Sequence, residues 1–205
     1  VAEPVSLTDI VNTVFAEIKR DGDRAVKKYS LIFDKASLDS LEVSKKSINE
    51  ASRLITEELK AALELSKGNI EKFHASQSEI PKIVETTKGV ECWRESRGIE
   101  TVGIYIPGGT APLFSTVLML GIPAKLAGCK NIVLCTPPDK FGNVNPVILY
   151  AASLVGVTSV FRIGGIQAIA AMAFGTESIP KVDKIFGPGN QYVTACFYFG
   201  FGFKL

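Results

Sequence analysis

Three turns rich in glycine and proline are the part of this sequence best suited to holding a ligand. They are Pro107-Gly108-Gly109-Thr110, Gly164-Gly165 and Gly187-Pro188-Gly189-Asn190, and each follows a short apolar run typical of a β-strand. A glycine turn at the carboxyl end of a parallel strand lets the backbone approach a pyrophosphate, and free N–H groups at the next helix point toward the charge. Any one such turn is more often purely structural, but three at one sheet edge predict a binding cleft. None is a GxGxxG or GxxxxGK(S/T) sequence, so neither a standard Rossmann fingerprint nor a P-loop is present.

Polar side chains beside these turns are the candidate ligand contacts. Tyr105 lies two positions before the first turn, Gln167 stands near the start of an otherwise apolar helix, and Asn190 closes the third turn. Each has a structural alternative. Tyr105 could be a core aromatic whose hydroxyl is satisfied at the sheet end, and Asn190 could cap a helix. Gln167 needs a partner in either case, because the helix that follows it would bury its face.

Histidine and cysteine are too sparse to suggest a metal site. The chain has one histidine, His74, and four cysteines without CxxC spacing: Cys92, Cys129, Cys135 and Cys196. We expect free thiols in a reducing compartment rather than disulfides or zinc ligands. His74 is interpreted as a capping or surface residue at the end of a helix.

Charge and hydropathy exclude several classes of function. The net charge of +2 comes from 23 basic and 21 acidic residues, so we expect no nucleic-acid partner. The longest apolar stretches are interrupted well short of the roughly 20 residues that a membrane span requires. The N-terminus opens no signal-peptide pattern. These features predict a cytoplasmic protein with no membrane partner.

The first 100 residues must position the cleft from outside the sheet, and their periodicity predicts a helical region with a β-hairpin. A first helix begins at Leu7 after a Ser6 capping signal and breaks at Asp21-Gly22-Asp23. The further predicted elements are an amphipathic run over 25–33, a helix after Ser44, a long helix from about Thr56 to Ser76, and hairpin strands 82–85 and 90–95 joined through 86–89.

The second half alternates apolar runs with helical segments, which predicts βαβ units and a parallel sheet with right-handed crossovers. Predicted strands cover 101–106, 131–135, 159–163 and 184–186, and predicted helices cover 113–127, 147–155 and 166–174. This half is therefore expected to have an α/β architecture of the nucleotide-binding type.

The stretches 103–120, 164–171 and 182–190 closely resemble the signature segments of histidinol dehydrogenases. The elements at 21–23 and 73–74 are similar to that family as well, and the resemblance runs from near residue 7 to about Ala195. It implies an α/β fold in which an N-terminal helical region (1–100) precedes an incomplete Rossmann-like parallel sheet with flanking helices (101–195).

The resemblance also implies a function. Such enzymes act in histidine biosynthesis, require zinc, form homodimers, and oxidise L-histidinol through the aldehyde to L-histidine while reducing two NAD+ in sequence. By their place in the motifs, Tyr105, Gln167 and Asn190 correspond to the residues of the family that contact NAD.

The sequence departs from the family after the third glycine turn. Family members are about twice as long, and their zinc ligands, their Glu-His pair for proton transfer and most of their substrate contacts follow this segment. We therefore expect this chain to contain no catalytic residue and no metal ligand, to bind NAD weakly or not at all, and to have no turnover.

The last ten residues, 196–205, form an atypical tail. Five of the ten are aromatic, which resembles an out-of-frame end more than the family's helix. The alternative function is a non-catalytic protein, derived from the enzyme, that binds a nucleotide or a partner and uses the tail as its surface. Part of the apolar stripe on the Thr56–Ser76 helix is expected to stay exposed, which favours aggregation.

Overall fold

A four-stranded parallel β-sheet lies at the centre of the computed structural model, which describes residues 6–109, 112–189 and 191–196. The strands of this sheet are β3 (Thr101–Tyr105), β4 (Asn131–Thr136), β5 (Ser159–Arg162) and β6 (Lys184–Phe186), and two further strands, β1 (Val84–Thr87) and β2 (Val90–Cys92), form a hairpin. The helices are α1 (Leu7–Asp21), α2 (Asp23–Tyr29), α3 (Lys45–Ala51), α4 (Glu57–Ala75), α5 (Phe114–Leu126), α6 (Pro146–Val155), α7 (Gly165–Phe174) and α8 (Gln191–Ala195), with a π-helical turn at Ser30–Asp34 and a 3-10 turn at Ser52–Leu54.

The strand order of the sheet is β5-β4-β3-β6, and all neighbouring pairs are parallel. The predicted α/β fold, with its N-terminal helical region, its parallel sheet and its flanking helices, is confirmed. Tyr105 lies opposite Cys135 at the last paired position of β3 and β4. The carboxyl ends of the strands therefore meet at one edge, as the glycine turns predicted.

Helices cover both faces of the sheet, which explains why the central strands are almost continuously apolar. Alternate side chains enter two separate cores. One core lies between the sheet and helices α1 and α7, and includes Tyr105, Val133, Cys135 and Phe161. The other lies under α5 and α6, and includes Val102, Ile104, Ile132, Leu134 and Val160.

The N-terminal helices pack on the helices that flank the sheet. Helix α1, whose N-terminus is capped by the Ser6 side chain, packs against α7, and α4 packs against α5. Both cores therefore contain residues from before and after residue 100. The division into domains at that residue, with a third segment at 196–205, stays a prediction.

Only one side chain of α4, Leu63, is fully buried. Leu65 and Phe73 are 68% and 63% exposed, so the expectation that part of the apolar stripe stays uncovered is confirmed. Helix α4 starts after Thr56, whose hydroxyl accepts a hydrogen bond from the N–H of Leu59 at 3.3 Å. This cap matches the predicted start.

The hairpin differs from its predicted boundaries. The first strand continues to Thr87, so the turn consists of Lys88 and Gly89 alone rather than 86–89. Two β-branched threonines favour the extended strand, and Gly89 takes the positive φ of 83° that a tight turn requires. The second strand ends at Cys92, short of the predicted residue 95. Every residue of both strands is exposed.

The break between α1 and α2 attaches this segment to a distant loop. The carboxylate of Asp23 accepts hydrogen bonds from the hydroxyls of Thr176 and Ser178. In return, the carboxylate of Glu177 accepts the backbone N–H of Asp23 at 2.7 Å. This exchange links the predicted break to the loop between α7 and β6.

Of the predicted tail, 196–205, the structure describes only Cys196, which is buried; residues 197–205 lie outside the described residues. Within the described ranges, no helix combines the length and the apolar character needed to cross a membrane.

Candidate functional site

A cleft of about 1230 Å³ opens at the carboxyl edge of the sheet. Its floor contains Tyr105 and the turn Pro107, Gly108 and Gly109, which follow β3. The segment after β4 contributes Thr136, Pro137 and Pro138, and the start of α7 contributes Gly165 and Ile166. The far wall comes from the N-terminal region, through Asp34 and helix α3. Ligand pockets of many proteins measure about 300–1,000 Å³, so this cleft has room for an extended ligand.

Tyr105 is 4% exposed, and its hydroxyl accepts a hydrogen bond from the backbone N–H of Gly165 at 3.0 Å. Burial raises the pKa of Tyr105 to about 12. The phenol is therefore neutral at physiological pH, and its own O–H proton can be donated. Tyr105 is thus a buried aromatic residue whose hydroxyl is satisfied at the end of the sheet, as its structural interpretation predicted, and it also lines the cleft.

Gln167 is fully buried in α7, with no exposed surface. Its side-chain nitrogen Nε2 donates a hydrogen bond of 2.9 Å to Oδ2 of Asp34, which is the partner that the buried helix face required. Its oxygen Oε1 has no hydrogen-bond partner among the described residues. Leaving this oxygen unpaired is costly, and it is enclosed, because Gln167 has no exposed surface and is not among the residues that line the cleft.

Asp34 is the functional residue that sequence reasoning missed. It is the last residue of the π-helical turn and lines the cleft. Burial raises the pKa of its carboxyl to about 6, while hydrogen bonding from the Gly164 backbone and from Gln167 acts in the opposite direction. No local pattern marks it, because its partners lie more than a hundred positions away in the chain. The next residue, Lys35, also lines the cleft and has a left-handed φ of 58°.

The expectation of free N–H groups at the Gly164-Gly165 turn is wrong. The N–H of Gly165 is bonded to Tyr105, and the backbone of Gly164 faces the carboxyl of Asp34. An acidic side chain at a helix start is favourable, and here it occupies the position that an anionic ligand would take. The turn at 107–109 is more open, because a Cβ added at Gly109 would meet no atom within 4 Å.

The third glycine turn begins beside Tyr105. A Cβ on Gly187 would overlap the carbonyl oxygen of Tyr105, so only glycine lets the two backbones come this close. The candidate contact Asn190 lies outside the described residues. The structure does bring Tyr105 and Gln167 to the same turn. The hydroxyl of Tyr105 bonds to Gly165, and the amide of Gln167 bonds to Asp34, whose carboxyl also contacts the backbone of Gly164.

Arg162 ties two segments of the cleft wall together. Its guanidinium donates to the carbonyl oxygens of Gly142, at 3.2 Å, and Glu42, at 2.8 Å. The other charged groups on the cleft are Asp34, Lys35, Glu50 and Asp139. Asp139 is engaged locally, because its carboxylate accepts two backbone N–H groups from its own loop.

In the part of the chain that the structure describes, no three His, Cys, Asp or Glu side chains lie close enough together to hold a metal ion. His74 lies at the end of α4 and contacts Gln77, with 2.8 Å between its Nδ1 and Oε1 of the glutamine. All four cysteines are free, and Cys92 is the exposed one. Burial raises the pKa of Cys135 and Cys196, the latter to about 12, so these thiols stay protonated and are poor nucleophiles.

Fold and cleft together define an α/β protein with a ligand site at the carboxyl edge of a parallel sheet. Comparison with known proteins gives the family. The sequence model described as histidinol dehydrogenase matches residues 2–198. The chain belongs to the histidinol dehydrogenase family.

Individual relatives support this assignment. The chain is 61% identical over 190 residues to the histidinol dehydrogenase of Bacteroides thetaiotaomicron, a match that covers 93% of this chain and 44% of that protein. It is 53% identical to the enzyme of Escherichia coli K12, covering 92% of this chain and 43% of that protein. The crystal structure of histidinol dehydrogenase from Elizabethkingia anophelis superimposes with a TM-score of 0.90 at 61% identity, covering 95% of this chain and 45% of that one. The chain thus spans less than half the length of these relatives, in agreement with the interpretation that it represents the N-terminal portion of the family.

Proposed function

We propose that this chain carries much of the NAD-binding region of a histidinol dehydrogenase. The enzyme would oxidise L-histidinol through the aldehyde to L-histidine, as the last part of histidine biosynthesis. The observation that carries the proposal is the cleft at the carboxyl edge of the sheet, where the hydroxyl of Tyr105 accepts the N–H of Gly165 and the carboxylate of Asp34 accepts the amide of Gln167. The family membership of the chain supports it.

The residues present fit a dinucleotide. The open backbone at Gly109 can accept close approach of phosphate groups, and the prolines of the floor offer apolar surface to a ring. Tyr105 can donate its hydroxyl proton, and we assign Gln167 as the second contact by its place in the family motif. We assign Asn190 as the third contact by its place in the family motif. When bound, NAD+ supplies the hydride acceptor of the reaction.

The residues described here do not fit zinc, because they form no cluster of metal ligands. We therefore assign no zinc ligand and no catalytic residue to this chain. Hydride transfer needs a positioned substrate, and the proton steps need a general base. We propose that the 205-residue polypeptide alone binds NAD+ weakly and does not oxidise L-histidinol, and that the whole protein is a zinc-dependent, cytoplasmic homodimer.

A pair of glycine variants tests the cleft. Gly109→Leu places a side chain in the open space of the cleft, whereas Gly68→Leu places the same side chain in open space on α4, outside the cleft. Neither glycine has a positive φ or a close neighbour at its Cβ position, so both variants are expected to fold. Ligand-detected NMR with NAD+ should show binding to the wild type and to Gly68→Leu, and its loss in Gly109→Leu. Equal binding by all three proteins would contradict the proposed location.

An activity assay tests the second part of the proposal. The isolated polypeptide, supplied with L-histidinol, NAD+ and zinc, should produce no NADH above a protein-free control. Sustained NADH production by the polypeptide would contradict the claim that it lacks catalytic residues.

A further inference from the structure

Asp34 brings a carboxylate of the N-terminal region to the lining of the cleft. Asp34 is held there at the end of a π-helical turn, and its side chain meets the start of α7. We propose that Asp34 is a positioning residue of the cofactor site, which fixes the Gly164-Gly165 turn and the Gln167 amide, and that its ionised form is the form competent to bind. The proposal rests on the NAD+ site proposed above.

The carboxylate of Asp34 accepts hydrogen bonds from two different groups. Oδ2 accepts the Nε2 proton of Gln167 at 2.9 Å, and the carboxyl also takes hydrogen bonding from the backbone of Gly164. An ionised carboxylate accepts at both oxygens and donates at neither. It therefore forces Gln167 to present its nitrogen to Asp34 and leaves Oε1 without a partner. The ionised carboxylate thus holds both the amide of Gln167 and the Gly164-Gly165 turn, and Gly165 lines the cleft.

A proton on Asp34 changes this arrangement. A protonated Asp34 carries an O–H donor, and the buried, unpaired Oε1 of Gln167 is the nearest acceptor once the amide turns over. The hydrogen bonds by which the carboxylate holds the Gln167 amide and the Gly164 backbone then rearrange, and the turn that lines the cleft loses its position. Protonation of Asp34 should therefore lower NAD+ affinity.

The pH range of this change follows from the pKa of Asp34. Burial raises the pKa of Asp34 to about 6, so the carboxyl changes its protonation state between about pH 5 and pH 7. The other charged groups on the cleft are the cations Lys35 and Arg162 and the carboxylates Glu50 and Asp139, and the neighbouring phenol of Tyr105 is neutral. Among the described residues none of these charges forms an ion pair with Asp34. Its hydrogen-bond donors are an amide and a backbone N–H, which makes the Asp34 carboxyl itself the switch.

The test compares NAD+ affinity at about pH 7.5 and about pH 5 by NMR titration of the ¹⁵N-labelled chain. Wild-type affinity should drop about tenfold at the lower pH, the value of one hydrogen bond to the ligand. Asp34→Asn places an amide N–H toward Oε1 of Gln167 and imitates the protonated state. Its affinity should be low and the same at both pH values. Asp139→Asn, which removes another carboxylate of the same cleft, should keep the wild-type pH dependence.

The Gly164 amide signal gives an independent readout in the same samples. It should titrate near pH 6 in the wild type, following the pKa of Asp34, and should not titrate in Asp34→Asn. The inference is overturned if Asp34→Asn shows the wild-type pH dependence of affinity, or if the Gly164 amide is insensitive to pH. Absence of NAD+ binding at every pH would contradict the proposed function instead, and the amide titration would then decide the positioning role by itself.

Discussion

The amide of Gln167 donates a hydrogen bond of 2.9 Å to the carboxylate of Asp34, although 133 positions separate the two residues. Asp34 ends the first group of helices, and Gln167 belongs to the helix that follows β5. The bond therefore joins the N-terminal region to the sheet at the cleft. We therefore expect stability, ligand binding and pH response to be coupled at this point.

Asp34→Asn should make the chain more resistant to unfolding at neutral pH. In the folded wild-type chain the pKa of Asp34 is about 6, above the ordinary value of 3.8. The stability that the Asp34 carboxyl contributes is therefore complete below pH 3.8 and is lost as the pH rises through 6. The asparagine removes the buried charge, and the amide of Gln167 can turn to pair with it.

Urea denaturation at about pH 4 and about pH 7.5 measures this effect. The free energy of unfolding of Asp34→Asn, taken relative to the wild type, should be larger at the higher pH. Asp39→Asn removes an exposed carboxylate and serves as the control, with no such difference expected. A relative stability of Asp34→Asn that is equal at both pH values would contradict the burial argument.

Tyr105→Phe should destabilise the fold and weaken the site. The substitution leaves the backbone N–H of Gly165 without its acceptor in a part-buried position, a loss of about 1 kcal/mol. Tyr150→Phe removes a hydroxyl from a half-buried tyrosine of α6 that does not line the cleft. Chemical denaturation should show the loss for Tyr105→Phe only. A Tyr105→Phe chain as stable as Tyr150→Phe would show that the hydroxyl of Tyr105 is not needed at the turn.

Asp23→Ala should detach the start of α2 from the loop after α7. The carboxylate accepts from Thr176 and Ser178; because Ser178 is exposed and Thr176 half-buried, water can replace the lost acceptor, and the expected cost is about 1 kcal/mol. Asp39→Ala, an exposed position, is the matched control. Equal midpoints of urea denaturation for the two variants would show that the attachment contributes nothing.

Much of the fold was predictable because local spacing determined it. The caps at Ser6 and Thr56 and the period of the apolar residues placed the helices within a few residues. The parallel sheet followed from the alternation of strands and helices. The hairpin boundaries were less well predicted, since the exposed strands carry no core pattern to define them.

The site was only half predictable for a different reason. Glycine turns and the positions of Tyr105 and Gln167 are visible along the chain, but hydrogen bonds between distant segments are not. Asp34 ends an ordinary amphipathic run, and its role arises from its contact with α7. Likewise, the N–H groups of the Gly164-Gly165 turn, expected to be free for an anion, are engaged by Asp34 and by the hydroxyl of Tyr105, which no local pattern reveals.

The exposed stripe of α4 should promote self-association of the polypeptide. Leu65 and Phe73 are 68% and 63% exposed, so replacing both with glutamine should reduce association while changing stability by about 0.5 kcal/mol or less. Leu63→Gln, at a buried position of the same helix, should instead unfold the chain. Sedimentation velocity at several protein concentrations distinguishes the outcomes. If the double variant associates as strongly as the wild type, the surface responsible for self-association lies outside this part of α4.

The claim that the glycine-lined edge of the sheet receives the dinucleotide is tested most directly by mapping amide chemical shifts of the ¹⁵N-labelled chain during addition of NAD+. We predict concentration-dependent shifts at Tyr105, Gly109, Gly165 and Gly187, with none in the hairpin β1–β2. Shifts confined to the hairpin or to α4, or no shifts at millimolar NAD+, would contradict it.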